Sequence, residues 1–107
     1  MKEFHVKKKI PKESSIVNRA RHLLMELPFI KFIKTHGDQY MPKGTPDLIG
    51  CCNGRGFALE AKRPGNVPTQ IQEKELSEWA NSKAITGVFT TPEEAVQIVR
   101  VGCYESI

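Results

Sequence analysis

Gly44-Thr45-Pro46-Asp47-Leu48-Ile49-Gly50-Cys51-Cys52-Asn53-Gly54-Arg55-Gly56-Phe57-Ala58-Leu59-Glu60-Ala61-Lys62 is the stretch that decides the fold. Asn53-Gly54 predicts a two-residue hairpin turn, because such a turn needs φ > 0 at both central positions and Asn and Gly tolerate it best. The turn sets a register in which Cys52 faces Arg55, Gly50 faces Phe57, Leu48 faces Leu59 and Asp47 faces Glu60. Directly opposed side chains have Cβ atoms roughly 4.5–5.5 Å apart, so the two carboxylates meet. Alternation puts Lys62 on the face of Glu60 and leaves Leu48, Phe57 and Leu59 on the other, which suits a buried core. A one-residue slip would send Asp47 and Glu60 to opposite faces. Opposed like charges are destabilising, and a cation relieves the conflict. Lys62 supplies one positive charge, and a divalent metal would supply two.

On the N-terminal side, residues 1–12 form a basic arm, densest at Lys7-Lys8-Lys9, which either touches phosphate or is simply solvated. Ile16, Val17, Ala20, Leu23, Leu24 and Leu27 recur at helical spacing, and Pro28 stops that helix. Glu13 stands at its start, where an acid complements the helix dipole with no further role. Phe29 to Lys34 reads as a strand. Gly37 to Pro46 reads as a polar loop. The hairpin covers about 46–53 and 55–62.

Beyond the hairpin, Arg63 to Pro68 is rich in turn residues. Thr69 and Gln72 form a capping box, and Ile71, Leu76, Trp79 and Ala80 mark the apolar side of a helix running to about Lys83. Thr86 to Thr90 is a short buried strand. Thr91-Pro92-Glu93-Glu94 is a second capping box with Pro at the first helical position, and Ala95, Val96, Ile98 and Val99 line that helix. Val101 to Ile107 is a final strand or a tail. The expected order is α-β-β-β-α-β-α in one domain, 13–107, an α/β fold with a mixed sheet flanked by helices.

The 107 residues suffice for one core. With 39% hydrophobic and 26% charged residues, a soluble globular class is expected. The net charge of +4 is compatible with a polyanionic partner. Cys51, Cys52 and Cys103 are odd in number and lack a Cys-x-x-Cys pair. That argues against a disulfide framework or a zinc knuckle and for buried thiols in a reducing, cytoplasmic compartment. No apolar run approaches the ~18 residues of a membrane span, and no signal peptide is read.

Phosphodiester cleavage needs an activated water, a neutralised phosphate and a stabilised leaving oxygen. Mg²⁺ can serve all three, held by one or two carboxylates. Asp47 and Glu60 have the right chemistry, and Lys62 could orient or deprotonate water or stabilise phosphate charge. Pro46-Asp47 followed by Glu60-Ala61-Lys62 resembles the PD-(D/E)XK nuclease signature. Gly44 to Gly50, Phe57 to Lys62, Pro68 to Gln72 and Thr86 to Phe89, in that order, look like the VRR-NUC branch, and the resemblance runs from about Glu13 to Val99.

The resemblance implies a restriction-endonuclease-like core with a divalent metal, Mg²⁺ or Mn²⁺ in its place, between Asp47 and Glu60. It implies the backbone carbonyl of Ala61 as a further ligand, a helical acid at Glu13 and a helix-borne glutamine at Gln72, with Gln70 ranked second. Lys34 and His36 alternate on a strand near the site, and they either meet phosphate or belong to a solvated strand face. Arg63 could reach a phosphate. His5 and His22 have no partner spacing for a metal site, and Trp79 reads as core rather than a base-stacking platform. The implied activity is a metal-dependent DNA endonuclease of the stand-alone phage or bacterial type. Branched DNA such as a Holliday junction is its plausible substrate, and a C₂ homodimer would supply two sites for two strands. The alternative is a non-catalytic nucleic-acid-binding module on the same fold.

Overall fold

The computed structural model describes residues 9–36 and 40–105. Most of the basic arm, with His5, Lys7 and Lys8, lies outside the described residues, as do residues 37–39 of the polar loop. The element order is α1 (Glu13–Leu24), β1 (Ile30–Lys34), β2 (Leu48–Cys52), β3 (Arg55–Ala61), α2 (Gln70–Asn81), β4 (Ile85–Phe89) and α3 (Pro92–Arg100). The strands form one sheet in the order β1-β2-β3-β4. β1, β2 and β3 are antiparallel in succession, and β4 runs parallel to β3. Parallel strands need a crossover of about a dozen residues or more, most often a helix, and α2 is that link between β3 and β4.

The turn at Asn53-Gly54 forms with φ 53° and 80°, and the ladder pairs Cys52 with Arg55, Gly50 with Phe57 and Leu48 with Leu59. The expected register is therefore the observed one. Leu48, Cys52, Phe57, Leu59 and Ala61 share a core with Ile16, Val17, Ala20 and Leu24 of α1 and Ala95 and Val99 of α3. Each fully buried Val, Leu, Ile or Phe side chain in that layer contributes about 1.5–3 kcal/mol. Phe32 of β1 tilts against Phe57, with ring centroids 6.4 Å apart.

The opposite face of the sheet is covered differently. None of the residues of α2 is buried, and its inward side is the half-buried set Gln72, Glu75, Leu76 and Trp79. The expected apolar side began at Ile71, which is 45% exposed instead. Leu76 and Trp79 keep their expected places, but Ala80 is exposed as well, and Gln72 and Glu75 take the inward positions expected for Ile71 and Ala80. Its N-terminus carries the full capping box: Gln72 N–H donates to Thr69 Oγ1, and Thr69 N–H donates to Gln72 Oε1 at 2.9 Å. At α3 half of the second box forms. Glu94 N–H donates to Thr91 Oγ1, but the Glu94 carboxylate accepts from the hydroxyls of Thr90 and Thr91 rather than from backbone.

The ends of α1 and α3 differ from expectation. The stripe of α1 continues in sequence to Leu27, but the helix ends at Leu24, and the chain tightens into i→i+3 bonds from Glu26 to Leu23 and from Leu27 to Leu24. Val101–Glu105 is neither strand nor tail. It extends α3 as a π turn that carries Cys103 into the core. Gly102 permits this, since a Cβ there would lie 2.4 Å from Ile85 Cδ1. Asn53 Nδ2 and Arg55 Nη1 donate to the carbonyls of Cys103 and Gly102, and Tyr104 donates to Pro28 O while sharing a hydrogen bond with Cys52. Cys51 corrects the thiol reading: Cys52 and Cys103 are buried, but Cys51, pointing to the other face, is exposed. Burial and the neighbouring Cys52 push the Cys103 thiol up to about 12. No helix of the described residues is long and apolar enough to cross a membrane.

Candidate metal centre

The hairpin ladder ends at Leu48 and Leu59, and the next residue on each strand turns to the opposite face. Asp47 Oδ2 accepts a hydrogen bond from the Ala61 N–H at 2.9 Å, which brings the Ala61 peptide to the carboxylates. Asp47 is itself anchored through its backbone. Thr35 N–H donates to Asp47 O at 2.8 Å, and Thr35 Oγ1 donates to Pro46 O at 2.7 Å. Thr35 is buried, so these bonds are shielded from competing water.

Glu60 sits on β3, hydrogen-bonded and paired to strands on both sides, and is only 2% exposed. Its Oε2 is buried without a hydrogen-bond partner. Burial pushes its carboxyl up to about 9. The hydrogen bond with Asp47 and the charges of Asp47 and Glu13 push in the same direction, and Lys62 pulls against them. A carboxyl buried with an idle oxygen costs free energy unless something pairs with it.

Glu13, the first residue of α1, completes the cluster. One carboxylate oxygen each from Glu13, Asp47 and Glu60 lies within 4.8 Å of the others. The helix-dipole role and a place in the cluster are compatible for Glu13, since the first turn of α1 meets the end of the sheet here. Lys62 is 8% exposed, and its Nζ lies 4.0 Å from Glu13 Oε1. Three convergent hard oxygen donors, one idle and buried, fit a divalent cation such as Mg²⁺ or Mn²⁺, and the residues present fit that group.

The cluster opens into a cleft of about 500 Å³ lined by Asp47, Glu60, Glu13, Gln72, Thr35, His36 and the loop Met41 to Thr45. Of the residues singled out by sequence, the structure thus assembles Glu13, Asp47, Glu60, Gln72 and His36 around one cavity, with Lys62 buried behind Glu13. Gln70, Lys34 and Arg63 are not in its lining. Lys34 pairs with Leu48, on the strand face away from Asp47. Arg63 is exposed, and its guanidinium donates to Ile10 O. Thr35 and Lys43 escaped the sequence reading. Both belong to the site through contacts distant in sequence, and the Pro-Lys-Gly-Thr turn was the one local signal for Lys43.

Chemically, the cluster can hold a divalent ion against an anionic ligand while a buried ammonium waits beside it. No family model, no curated protein and no solved structure matches this chain.

Proposed function

We propose that the chain is a divalent-metal-dependent nuclease that hydrolyses phosphodiester bonds in DNA, with a restriction-endonuclease-like core of the VRR-NUC type. The observation that carries the reading is the buried, partnerless Glu60 Oε2 in a three-carboxylate cluster beside a buried lysine. An acid buried among acids is costly for folding, and a cation-dependent task explains its presence.

Asp47, Glu60 and Glu13, with the Ala61 carbonyl, would hold Mg²⁺ or Mn²⁺. When bound, the metal supplies a Lewis acid that neutralises phosphate charge and eases the loss of a proton from water. The chain's own groups do the rest. The cap and the fold pin Gln72 through its Oε1, so its amide N–H₂ is the end left to orient water or a phosphate oxygen. Lys62 supplies positive charge where the phosphate gains negative charge in the transition state. The Asp47 carboxylate is held in place by the Ala61 N–H, which limits the reorganisation needed when the site fills.

The resemblance adds branched DNA as substrate and a C₂ homodimer as the cutting unit. The test is a panel of labelled duplex, flap and four-way-junction DNAs with Mg²⁺, Mn²⁺ or EDTA. Metal-dependent cleavage of at least one, lost in Asp47→Ala, is the expected result. Binding without cleavage in every metal would instead favour the non-catalytic nucleic-acid-binding module.

A further inference from the structure

We propose that Lys43 is a phosphate-binding subsite on the loop wall of the cleft, taking a backbone phosphate of the nucleic-acid strand beside the metal cluster. The inference rests on the nuclease reading and adds a residue to it.

Pro42-Lys43-Gly44-Thr45 is a closed turn: Thr45 N–H donates to Pro42 O at 3.3 Å, and Gly44 at the third position has φ +82°. That is the signature of a type II turn, in which the third position favours glycine. Thr45 Oγ1 donates to the same carbonyl and latches the turn a second time. Gly44 rests on the backbone of α2 so closely that a Cβ would lie 2.7 Å from Ile71 O. Lys43, at the second position, is therefore carried on a rigid mount against the first helical turn that also carries Gln72.

The electrostatics of the cleft say what that mount is for. Its floor holds three carboxylates, and Lys62 is buried and already beside Glu13. Lys43 is exposed, lines the cleft and has no ion-pair partner among the described residues. An acidic floor repels phosphate, so a strand entering the cleft needs positive charge outside the metal ligands. A lysine ammonium, a compact charge with three donors, suits a phosphate oxygen. A solvated lysine on a mobile loop would have the same composition without the two latches and the seat on α2.

The experiment measures binding of fluorescein-labelled single-stranded and four-way-junction DNA in Ca²⁺ over a range of salt concentrations. It compares wild type, Lys43→Ala, Lys43→Arg and the control Lys74→Ala, whose lysine pairs with Glu78 on α2 away from the cleft. Loss of one phosphate contact should reduce the magnitude of the slope of log K against log salt by about 0.7–0.9, or about five- to eightfold in affinity near 0.1 M salt. Lys43→Arg should restore the slope, Lys74→Ala should keep it, and Mn²⁺ affinity should be the same in all four proteins. A wild-type slope in Lys43→Ala, or an equal change in Lys74→Ala, overturns the inference while leaving the nuclease reading intact. If the wild type binds no DNA, both fall together.

Discussion

Replacing Glu60 by Gln should make the metal-free protein more stable at neutral pH, although it removes the most buried acid of the site. In the folded chain burial and Asp47 push the Glu60 carboxyl up from 4.5 to about 9. A raised carboxyl means that the folded state holds its proton more tightly than the unfolded state does. The stability this group allows is fully present below pH 4.5 and is lost as pH rises towards 9. At 1.36 kcal/mol per pH unit, the interval from 4.5 to 7 amounts to about 3 kcal/mol. Gln keeps the size and stays neutral in both states, so Glu60→Gln should escape that loss and flatten the pH dependence. Metal should reverse the order once it is abundant, because an ion at a thousand times its Kd stabilises the wild type by about 4.1 kcal/mol and should not stabilise the variant. The assay is urea unfolding of both proteins from pH 5 to 8.5, in EDTA and in MgCl₂. A wild-type stability in EDTA that does not fall with pH, or a Glu60→Gln protein less stable than wild type at pH 7, would refute the reasoning.

In the proposed mechanism the charge of Lys62 serves the transition state, so Lys62→Ala should stay folded and lose about 10²–10⁴-fold in single-turnover cleavage of a four-way junction; a folded variant cutting at the wild-type rate contradicts that role. Thr35→Val removes the hydroxyl bond to Pro46 O and should cost about 0.5–1.5 kcal/mol in stability, with weaker Mn²⁺ binding because Asp47 keeps only the backbone bond from the residue 35 N–H. Calorimetric titration of Mn²⁺ reads the second effect, and an unchanged affinity limits Thr35 to the fold. Gly44→Ala forces a Cβ into the backbone of α2 at φ +82°, so thermal unfolding should show a loss above ~1 kcal/mol.

The hairpin was legible because its information is local. Asn53-Gly54 admits few alternatives, and one turn carries Asp47, Glu60 and Lys62 into place together. The capping box at Thr69 was legible for the same reason, and it also holds Gln72 in the cleft. What stayed hidden depends on packing between distant segments. Ile71 and Gln72 compete for the inward side of α2, and the seat of Gly44 on that helix accompanies the polar choice. The π turn at 101–105 depends on contacts from Asn53, Arg55 and Pro28, none of which has a periodic signature. Thr35 reads as one more residue after a strand until Pro46 and Asp47 are folded against it.

The central claim is that Glu13, Asp47 and Glu60 form a metal site at which a bound ion displaces the proton of the buried acid into solvent. Calorimetric titration of Mn²⁺ at pH 7.5, repeated in buffers of different ionisation heat, tests this directly, because metal binding to a protonated ligand releases protons. With the Glu60 carboxyl at about 9, saturable binding should release about one proton per ion, and Glu60→Gln should neither bind tightly nor release it. Absence of binding, or binding with no proton released and no change in Glu60→Gln, would contradict the account.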